Sequence, residues 1–221
     1  MNGGDKNNRR VLLAGATGLV GRELLHGLLA DGTVAGVQAI GRRPLPQRHA
    51  KLSFRQVDFG AIPALPPLDE VYIALGTTIK TAGSQEAFRA VDFDASLAVA
   101  RAARAAGARH AGVVSAMGAD ARSALFYNRV KGELEEALAG LGFDGLVIAR
   151  PSFLAGNREQ LGQPERGGEK LALRVSHWLR PLIPANYRSI EAAKVARSLL
   201  RHVPNTRGRL VLMSGTMQRG A

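Results

Sequence analysis

Tyr127 and Lys131 stand four positions apart in a segment with helical periodicity, so we expect their side chains on one face of a helix. Such a pair could transfer a proton to or from a carbonyl compound, with the tyrosine as general acid/base. A lysine ammonium about 4 Å away would stabilise the tyrosinate by roughly 4 kcal/mol at an effective dielectric near 20. Ser115 is expected at the same sheet edge, where its hydroxyl could hydrogen-bond a substrate carbonyl oxygen. The alternative is a core-facing tyrosine beside a lysine that extends to solvent.

Three glycines, Gly15, Gly18 and Gly21, separate a short apolar run from a helical segment. A turn from strand to helix at this point would present backbone N–H groups at the positive end of the helix dipole, which suits the phosphates of a dinucleotide. The glycines would permit the sharp turn, the approach of the pyrophosphate and close packing of helix on strand. The expected phosphate donors are the backbone N–H groups of Thr17, Leu19 and Val20. The alternative is a tight turn that binds no ligand.

Residues that follow the next three predicted strands could complete a dinucleotide site. Arg42 and Arg43 stand where an NAD-preferring site usually has an acidic residue for the ribose hydroxyls. Because a guanidinium can bind a 2′-phosphate through two hydrogen bonds, this replacement predicts NADP(H) over NAD(H); the alternative is two exposed surface charges. An acidic acceptor and a ring that could hold adenine follow the third strand, at Asp58 and Phe59. The segment expected to leave room for the ribose and phosphates follows the fourth strand: Leu75, Gly76, Thr77 and Thr78.

Apolar runs alternate with helical periodicity along the first two thirds of the chain. The predicted strands are Arg10–Ala14, Val37–Gly41, Leu52–Val57, Glu70–Leu75, Ala111–Ser115 and Gly145–Arg150. The predicted helices are Gly18–Asp31, Phe93–Ala106 with its end at Gly107, and a long helix from a capping Ser123 to about Leu141. Strands joined through helices pair in parallel with right-handed crossovers, so we expect an α/β fold of the Rossmann type, a doubly wound parallel sheet with helices on both faces. Ligand sites in such sheets lie beyond the carboxyl ends of the strands.

The sequence changes character after Pro151, which ends the sixth strand. Residues Ser152–Gly168 are rich in Gly, Asn, Gln and Arg and predict a long loop that could cover the sheet edge. The elements predicted beyond it are a helix at Glu169–Arg180, a helix at Ser189–Arg201 capped by Ser189, and a last strand at Leu210–Met213. We therefore expect one NAD(P)-binding domain over residues 1–221, with residues 152–188 as an inserted lid or substrate region.

The composition excludes several kinds of site. The chain has no cysteine, so it cannot have a disulfide framework, a thiolate metal site or a cysteine nucleophile. Its five histidines show no zinc-site spacing, and no metal is expected. A net charge of +12, from 30 basic and 18 acidic residues, could indicate nucleic-acid binding. The basic residues are mostly arginines spread singly along the chain, and only 5% of residues are aromatic. These features favour a solvated arginine-rich surface over nucleic-acid binding.

The sequence also predicts a location. Residues 1–10 are polar and basic and lack the apolar core of a signal peptide. No apolar stretch approaches the roughly 18 residues that a transmembrane helix needs. We therefore expect a cytoplasmic protein that does not associate with a membrane.

The ordered set of motifs resembles the short-chain dehydrogenases/reductases of the atypical kind over nearly the whole chain. The resemblance rests on GATGLVG at 15–21, VSAMGAD at 114–120, YNRVKGELE at 127–135 and ARPSF at 149–153. Four further motifs are similar to the branch that contains the human Tat-interacting protein and its bacterial NAD(P)H-binding relatives: IGRRP at 40–44, VDF at 57–59, LGTT at 75–78 and VDFDASLAVA at 91–100.

This resemblance implies roles for particular residues. Tyr127 would be the general acid/base, Lys131 would hold the nicotinamide ribose and assist the tyrosine, and Ser115 would orient the substrate. The nicotinamide would lie near three residues after the sixth strand: Pro151, Ser152 and Phe153.

Two positions depart from the family pattern. Asp92 stands where many relatives have an asparagine that anchors a proton-relay water. Ala116 follows Ser115 where a second hydroxyl is often found. These departures leave the proton relay and the identity of the catalytic hydroxyl open.

Two functions of different kinds follow from these residues. The first is an NADP(H)-dependent oxidoreductase that transfers hydride to a small carbonyl substrate, with Tyr127 as the acid. The second is an NADPH-sensing module that regulates binding to a protein partner with little or no turnover. For either function we expect a monomer or a homodimer.

Overall fold

The computed structural model describes residues 8–155, 186 and 188–220. The strands are β1 (Arg9–Ala14), β2 (Val34–Gly41), β3 (Leu52–Gln56), β4 (Glu70–Ile73), β5 (His110–Val114), β6 (Gly145–Arg150), β7 (Leu154–Ala155), β8 (Ile190–Glu191) and β9 (Gly208–Met213). The helices are α1 (Leu19–Ala30), α2 (Ile79–Ala82), α3 (Gln85–Arg89), α4 (Ser96–Ala105), α5 (Phe126–Ala139), α6 (Ala192–His202) and α7 (Ser214–Arg219). A π-helical segment, Ala90–Ala95, joins α3 to α4.

Seven of these strands form one parallel sheet in the order β3-β2-β1-β4-β5-β6-β9. The chain moves outward from β1 to β3 and then returns to place β4 on the other side of β1. The order therefore reverses between β1 and β4, which is where ligands bind in open α/β sheets. This topology confirms the predicted Rossmann-type fold.

Alternate residues of β1 face two separate hydrophobic layers, because successive side chains of a strand point to opposite faces of the sheet. Val11 and Leu13 lie in the layer that α1 and α6 cover. Leu12 and Ala14 lie in the layer that α4 and α5 cover. All four side chains are fully buried. Burial on both faces explains why the central strands are continuous apolar runs.

Each of the seven predicted strands is present, with ends within three residues of those predicted. The predicted glycine boundary of α4 is also present, since Gly107 adopts a left-handed φ of +98° just beyond the helix. The helix predicted at Phe93–Ala106 differs at its start, where the backbone is π-helical from Ala90 to Ala95 and becomes α-helical only at Ser96. The Ser96 hydroxyl contacts the carbonyl oxygen of Val91, five residues earlier, at 3.5 Å.

Both serine caps predicted from the sequence are wrong. α5 begins at Phe126 after Leu125, and Ser123 instead accepts a hydrogen bond from the backbone N–H of Leu125 within the preceding turn. α6 begins at Ala192 after Glu191, because the residues that follow Ser189 pair as β8 with β7. The start of the predicted loop at Ser152–Gly168 is therefore partly a strand. The rest of that loop and the helix predicted at Glu169–Arg180 lie outside the described residues, so the lid stays a prediction.

Within the described ranges, no helix has both the length and the apolar character required to cross a membrane.

Arg9 holds together a polar cluster at the amino-terminal edge of the sheet. Its guanidinium donates to both carboxylate oxygens of Glu70 at 2.7 and 2.8 Å and to Asp31 at 2.6 Å. Glu70 is buried and also accepts a hydrogen bond from the Tyr72 hydroxyl. Burial and the Glu70 charge raise the pKa of Tyr72 well above its usual range. This cluster lies at the edge opposite the predicted site.

We expect Arg9→Met to destabilise the protein by about 3 kcal/mol or more, because the buried Glu70 carboxylate would lose its cation. Arg109→Met is the matched control, since Arg109 pairs with Asp144 on the surface and its loss should cost less than about 1 kcal/mol. Urea unfolding of the two variants measures both costs. Equal losses would show that burial of Glu70 does not determine the strength of the cluster.

Candidate active site

Gly15 and Gly21 occupy positions where the fold itself permits no side chain. Gly15 has a φ of +90°, and a Cβ atom there would lie 2.4 Å from the carbonyl oxygen of Ala74 at the end of β4. A Cβ atom at Gly21 would lie 1.9 Å from the carbonyl oxygen of Gly15. Both distances are far below van der Waals contact, so these glycines allow β1, α1 and β4 to approach one another.

Gly18 is not required for the same reason. A Cβ atom there would lie 3.4 Å from the carbonyl oxygen of Gly15, which is ordinary contact. Gly18 is the N-cap residue of α1, and no side chain caps the helix. The predicted donors Thr17, Leu19 and Val20 immediately precede or begin this helix, in whose first turn the N–H groups lack intrahelical acceptors. The turn thus combines backbone donors with space in front of them, which fits a pyrophosphate.

The predicted adenosine-side residues lie at the same edge of the sheet. Arg42 and Arg43 follow β2 directly and are exposed. Asp58 follows β3 and is exposed, and its carboxylate accepts a hydrogen bond from the backbone N–H of Gly60 at 3.0 Å. Phe59 is half-buried against the layer that contains α4 and α5. The strands β1, β2 and β3 are neighbours in this order. The residues that follow β2 and then β3 therefore lie progressively farther from the glycine turn after β1.

The loop after β4 is joined to a buried carboxylate. The backbone N–H of Thr77 donates to Asp92 Oδ2 at 2.9 Å. Gly76 is exposed, and a Cβ atom there would lie 3.5 Å from Asp92 Oδ1. Thr78 accepts a hydrogen bond from the backbone N–H of Thr81 and so caps α2. Leu75 is half-buried in the sheet layer next to α4 and α5.

Asp92 and Lys131 form a buried ion pair, with 2.6 Å between Oδ1 and Nζ. Asp92 is 0% exposed and Lys131 is 4% exposed. Burial would lower the pKa of Lys131, but the charge of Asp92, together with interactions with Tyr127 and Glu135, outweighs burial and raises that pKa above 10.5. Lys131 is therefore an ammonium at neutral pH. The sequence drew attention to Asp92 as a departure from the family pattern, but it did not predict this direct pair.

Tyr127 lies one helical turn before Lys131 on α5 and is 36% exposed. Its ring packs on Phe88 of α3, with 5.4 Å between the ring centroids. The tyrosine is thus supported on one side and open to solvent on the other, unlike the core-facing alternative. Phe88 also contacts Phe126 edge to face and so holds the start of α5 against α3.

Ser115 follows β5, is buried, and donates its hydroxyl hydrogen to Glu135 Oε1 at 2.6 Å. The predicted hydrogen bond from Ser115 to a substrate carbonyl would require this hydroxyl to turn away from a buried carboxylate. Sequence analysis did not single out Glu135. The available signal was its position four residues after Lys131, which extends the face formed by Tyr127 and Lys131 by one more turn.

The three residues predicted near the nicotinamide have different surroundings. Pro151 is buried, and its carbonyl oxygen accepts a hydrogen bond from Met117. The Ser152 hydroxyl contacts the Ser214 hydroxyl at 3.0 Å and donates to the backbone of Arg188. Phe153 is largely exposed and could contact a ligand.

Over the part of the chain that the structure describes, no group of three or more Asp, Glu or His side chains is placed to hold a metal ion.

No family model matches the chain. Known proteins of two kinds are similar to it in sequence. A protein of Emericella nidulans named fmp52, mitochondrial, is 40% identical over 161 residues, which cover 68% of this chain and 69% of that protein. HTATIP2 of Rattus norvegicus is 32% identical over 203 residues, which cover 89% of this chain and 81% of that protein.

Solved structures share the fold. MoeE5, in a complex with UDP-glucose and NAD, superposes with a TM-score of 0.68 at 18% identity, over 92% of this chain and 75% of that one. An oxidoreductase of the short-chain dehydrogenase/reductase family from Burkholderia thailandensis superposes with a TM-score of 0.60 at 17% identity, over 95% of this chain and 93% of that one.

The predicted cytoplasmic location is contradicted by the names of the fungal relatives. The proteins from Emericella nidulans, Coccidioides immitis, Aspergillus niger and Eremothecium gossypii are all named as mitochondrial. The prediction rested only on signals that were not found in the sequence, and such absences do not determine a compartment.

We expect Asp92→Asn to destabilise the protein by about 3–5 kcal/mol at pH 7, because Lys131 would remain buried without its counter-charge. The folded protein binds the Lys131 proton more tightly than the unfolded chain, so this stabilisation is present below about pH 10.5 and is lost as the pH rises through the raised pKa. Urea unfolding between neutral and alkaline pH measures it. Asp94→Asn, an exposed change two residues away, is the control, and an equal loss there would contradict the ion-pair account.

Proposed function

The chain belongs to the family of the Fmp52 and HTATIP2 proteins, atypical short-chain dehydrogenases/reductases with an NAD(P)-binding fold, and on this premise we propose that it is an NADP(H)-dependent oxidoreductase that reduces a small carbonyl compound. The observation that carries the proposal is the arrangement on α5. A solvent-accessible tyrosine lies one turn from a buried, charged lysine, at the edge of the sheet where the glycine turn begins α1.

The residues present fit a nicotinamide dinucleotide. Gly18 leaves space before the first turn of α1, although the protein around it would accept a Cβ atom. A pyrophosphate at this point would explain why the position is a glycine, since the approach of a phosphate requires the absence of a side chain. When bound, the reduced nicotinamide supplies the hydride.

In the proposed reaction, Tyr127 donates its hydroxyl proton to the carbonyl oxygen as the substrate is reduced. Its exposed side would allow the proton to be replaced from solvent. Lys131, held as an ammonium by Asp92, would bind the ribose hydroxyls and assist the tyrosine electrostatically. The Leu75–Thr78 loop would lie against the cofactor, and Asp92 ties that loop to Lys131 through the backbone N–H of Thr77.

The proposed preference for NADP(H) rests on Arg42 and Arg43. Both are exposed at the end of β2, on the outer side of the glycine turn, where the adenosine ribose would lie. A guanidinium there would recognise the 2′-phosphate by charge-assisted hydrogen bonds.

A second candidate is an NADPH-sensing module with little or no turnover. It is favoured by one observation: the Ser115 hydroxyl, predicted to orient a substrate, donates to a buried carboxylate instead. Binding of a protein partner that does not change between cofactor-free and NADPH-loaded protein would reject this candidate.

Thermal-shift measurements with equal concentrations of NADPH and NADH should show the larger rise in melting temperature with NADPH, because the tighter ligand stabilises more. Replacing both Arg42 and Arg43 by Ala should weaken NADPH binding by at least about 10-fold, since even one charge-assisted hydrogen bond contributes about 1.5–3 kcal/mol, and should leave NADH binding unchanged. Gly18→Ala is the companion variant, expected to fold normally and to bind neither cofactor. Equal shifts with both cofactors in the wild-type protein would reject the proposed preference.

Tyr127→Phe should lower turnover of carbonyl compounds about 100-fold or more, because general acid catalysis typically contributes that much. NADPH affinity should stay within about threefold of the wild type. The matched control is Tyr72→Phe, which removes a buried hydroxyl at the opposite edge of the sheet and should leave turnover unchanged. NADPH oxidation against a panel of small aldehydes and ketones measures the effect. Equal turnover in wild type and Tyr127→Phe would remove the assigned acid.

A further inference from the structure

Glu135 is a buried carboxylate at the candidate site that the proposed reaction does not use. It lies on α5 on the same face as Tyr127 and Lys131, and the three residues follow one another at intervals of four positions. It is 1% exposed. A buried charge in this position needs partners that fix it, because an unpaired carboxylate would be strongly destabilising.

Three side chains donate to the two oxygens of Glu135. Oε1 accepts from Ser115 Oγ at 2.6 Å and from Arg150 Nε at 2.9 Å. Oε2 accepts from Arg150 Nη2 at 2.6 Å and from Arg209 Nη2 at 3.1 Å. The donors lie within or directly after three adjacent strands, since Ser115 follows β5, Arg150 ends β6 and Arg209 lies in β9. Glu135 thus ties α5 to one half of the sheet.

This arrangement fixes the direction in which Ser115 donates. A serine hydroxyl has one hydrogen, and an ionised carboxylate paired with two arginines only accepts. The Ser115 hydrogen is therefore directed to Glu135 at a charge-assisted distance. It is not directed to a substrate oxygen at the same time.

Glu135 also helps to keep Lys131 protonated. The charged or titratable groups that face Lys131 are Asp92 from the π-helical segment and Tyr127 and Glu135 from α5. Arg150 and Arg209 form ion pairs with Glu135 and balance its charge. The carboxylates of Asp92 and Glu135 raise the pKa of Lys131 against the effect of burial.

Resting on the proposed function, we propose that Glu135 is a positioning residue of this site, and that Ser115 acts on Glu135 and not on the substrate. Glu135 holds α5 so that Tyr127 and Lys131 reach the sheet edge in one orientation, and it helps to keep Lys131 charged. Ser115, Arg150 and Arg209 hold Glu135 in turn. Tyr127 then remains the side chain that donates to the carbonyl oxygen.

A double-mutant cycle of Ser115→Ala and Glu135→Gln tests this assignment. Ser115→Ala alone should lower kcat/KM by less than about threefold, whereas loss of a direct donor to a developing oxyanion typically costs about 100- to 1000-fold. Glu135→Gln should lower kcat about 10- to 100-fold, because small displacements of the reacting groups cost that much, with little change in the KM for NADPH. In the Glu135→Gln background, Ser115→Ala should have no further effect. A loss of about 100-fold on Ser115→Ala, retained in both backgrounds, would overturn the proposal.

The pH profile separates positioning from simple loss of stability. Removing the Glu135 charge lowers the pKa of Lys131, so the alkaline limb of the kcat/KM profile should move to lower pH in Glu135→Gln. Ser115→Ala changes no charge and should leave the limb in place. Glu133→Gln is the matched control on the same helix, since Glu133 is partly exposed and pairs with Arg89 of α3. An alkaline limb at the same pH in wild type and Glu135→Gln would contradict the proposed role.

A readout without turnover distinguishes this proposal from the proposed function. If the wild-type protein reduces no carbonyl compound, the oxidoreductase assignment fails, and the cycle is measured on the dissociation constant of NADPH between neutral and alkaline pH. Glu135→Gln should then lose NADPH affinity at lower pH than the wild type and the Glu133→Gln control. Identical pH dependence in all three would overturn the role of Glu135. If Glu135→Gln does not fold, the magnitude of the Ser115→Ala effect decides alone.

Discussion

The turn after β1 packs backbone against backbone where it passes the end of β4. Gly15 lies against the Ala74 carbonyl and Gly21 lies against the Gly15 carbonyl, with no space for a side chain at either place. This contact sets the start of α1 relative to the reversal point of the sheet. It also sets the direction in which the chain leaves β4, toward Thr77 and its bond to Asp92. The start of α1 and the end of β4 are thus placed by one steric constraint.

Exposure falls steadily along one face of α5, from Tyr127 through Lys131 to Glu135. The outermost group can exchange protons with water, while the two inner groups are charged and are neutralised by partners from other elements. Buried charges of this kind stabilise the fold only as a complete set, since removing one partner leaves the others unpaired. The same set fixes the orientation of the helix, which a face of apolar contacts alone would specify less strictly.

The sequence was sufficient for the sheet and for the glycine turn because both depend on local patterns. Apolar runs identify strands buried on both faces, and glycines at a strand–helix junction have few other uses. It was insufficient for the charge network. The partner of Asp92 is 39 residues away, and Lys131 with Glu135 four residues later is a pattern more typical of an exposed helix face. The helix start at Ser123 was missed because serine also stabilises turns that precede a helix. The start at Ser189 was missed because the residues that follow it pair with a distant strand.

The π-helical segment before α4 accommodates more residues per turn than the helices on either side of it. Each residue of a regular helix advances the side-chain direction by about 100°, so regular winding of the same six residues would rotate α3 against α4 by about that angle. Phe88 could not then remain under Tyr127 while Asp92 still reached Lys131. The wider winding of this stretch is therefore what allows both contacts to form at once.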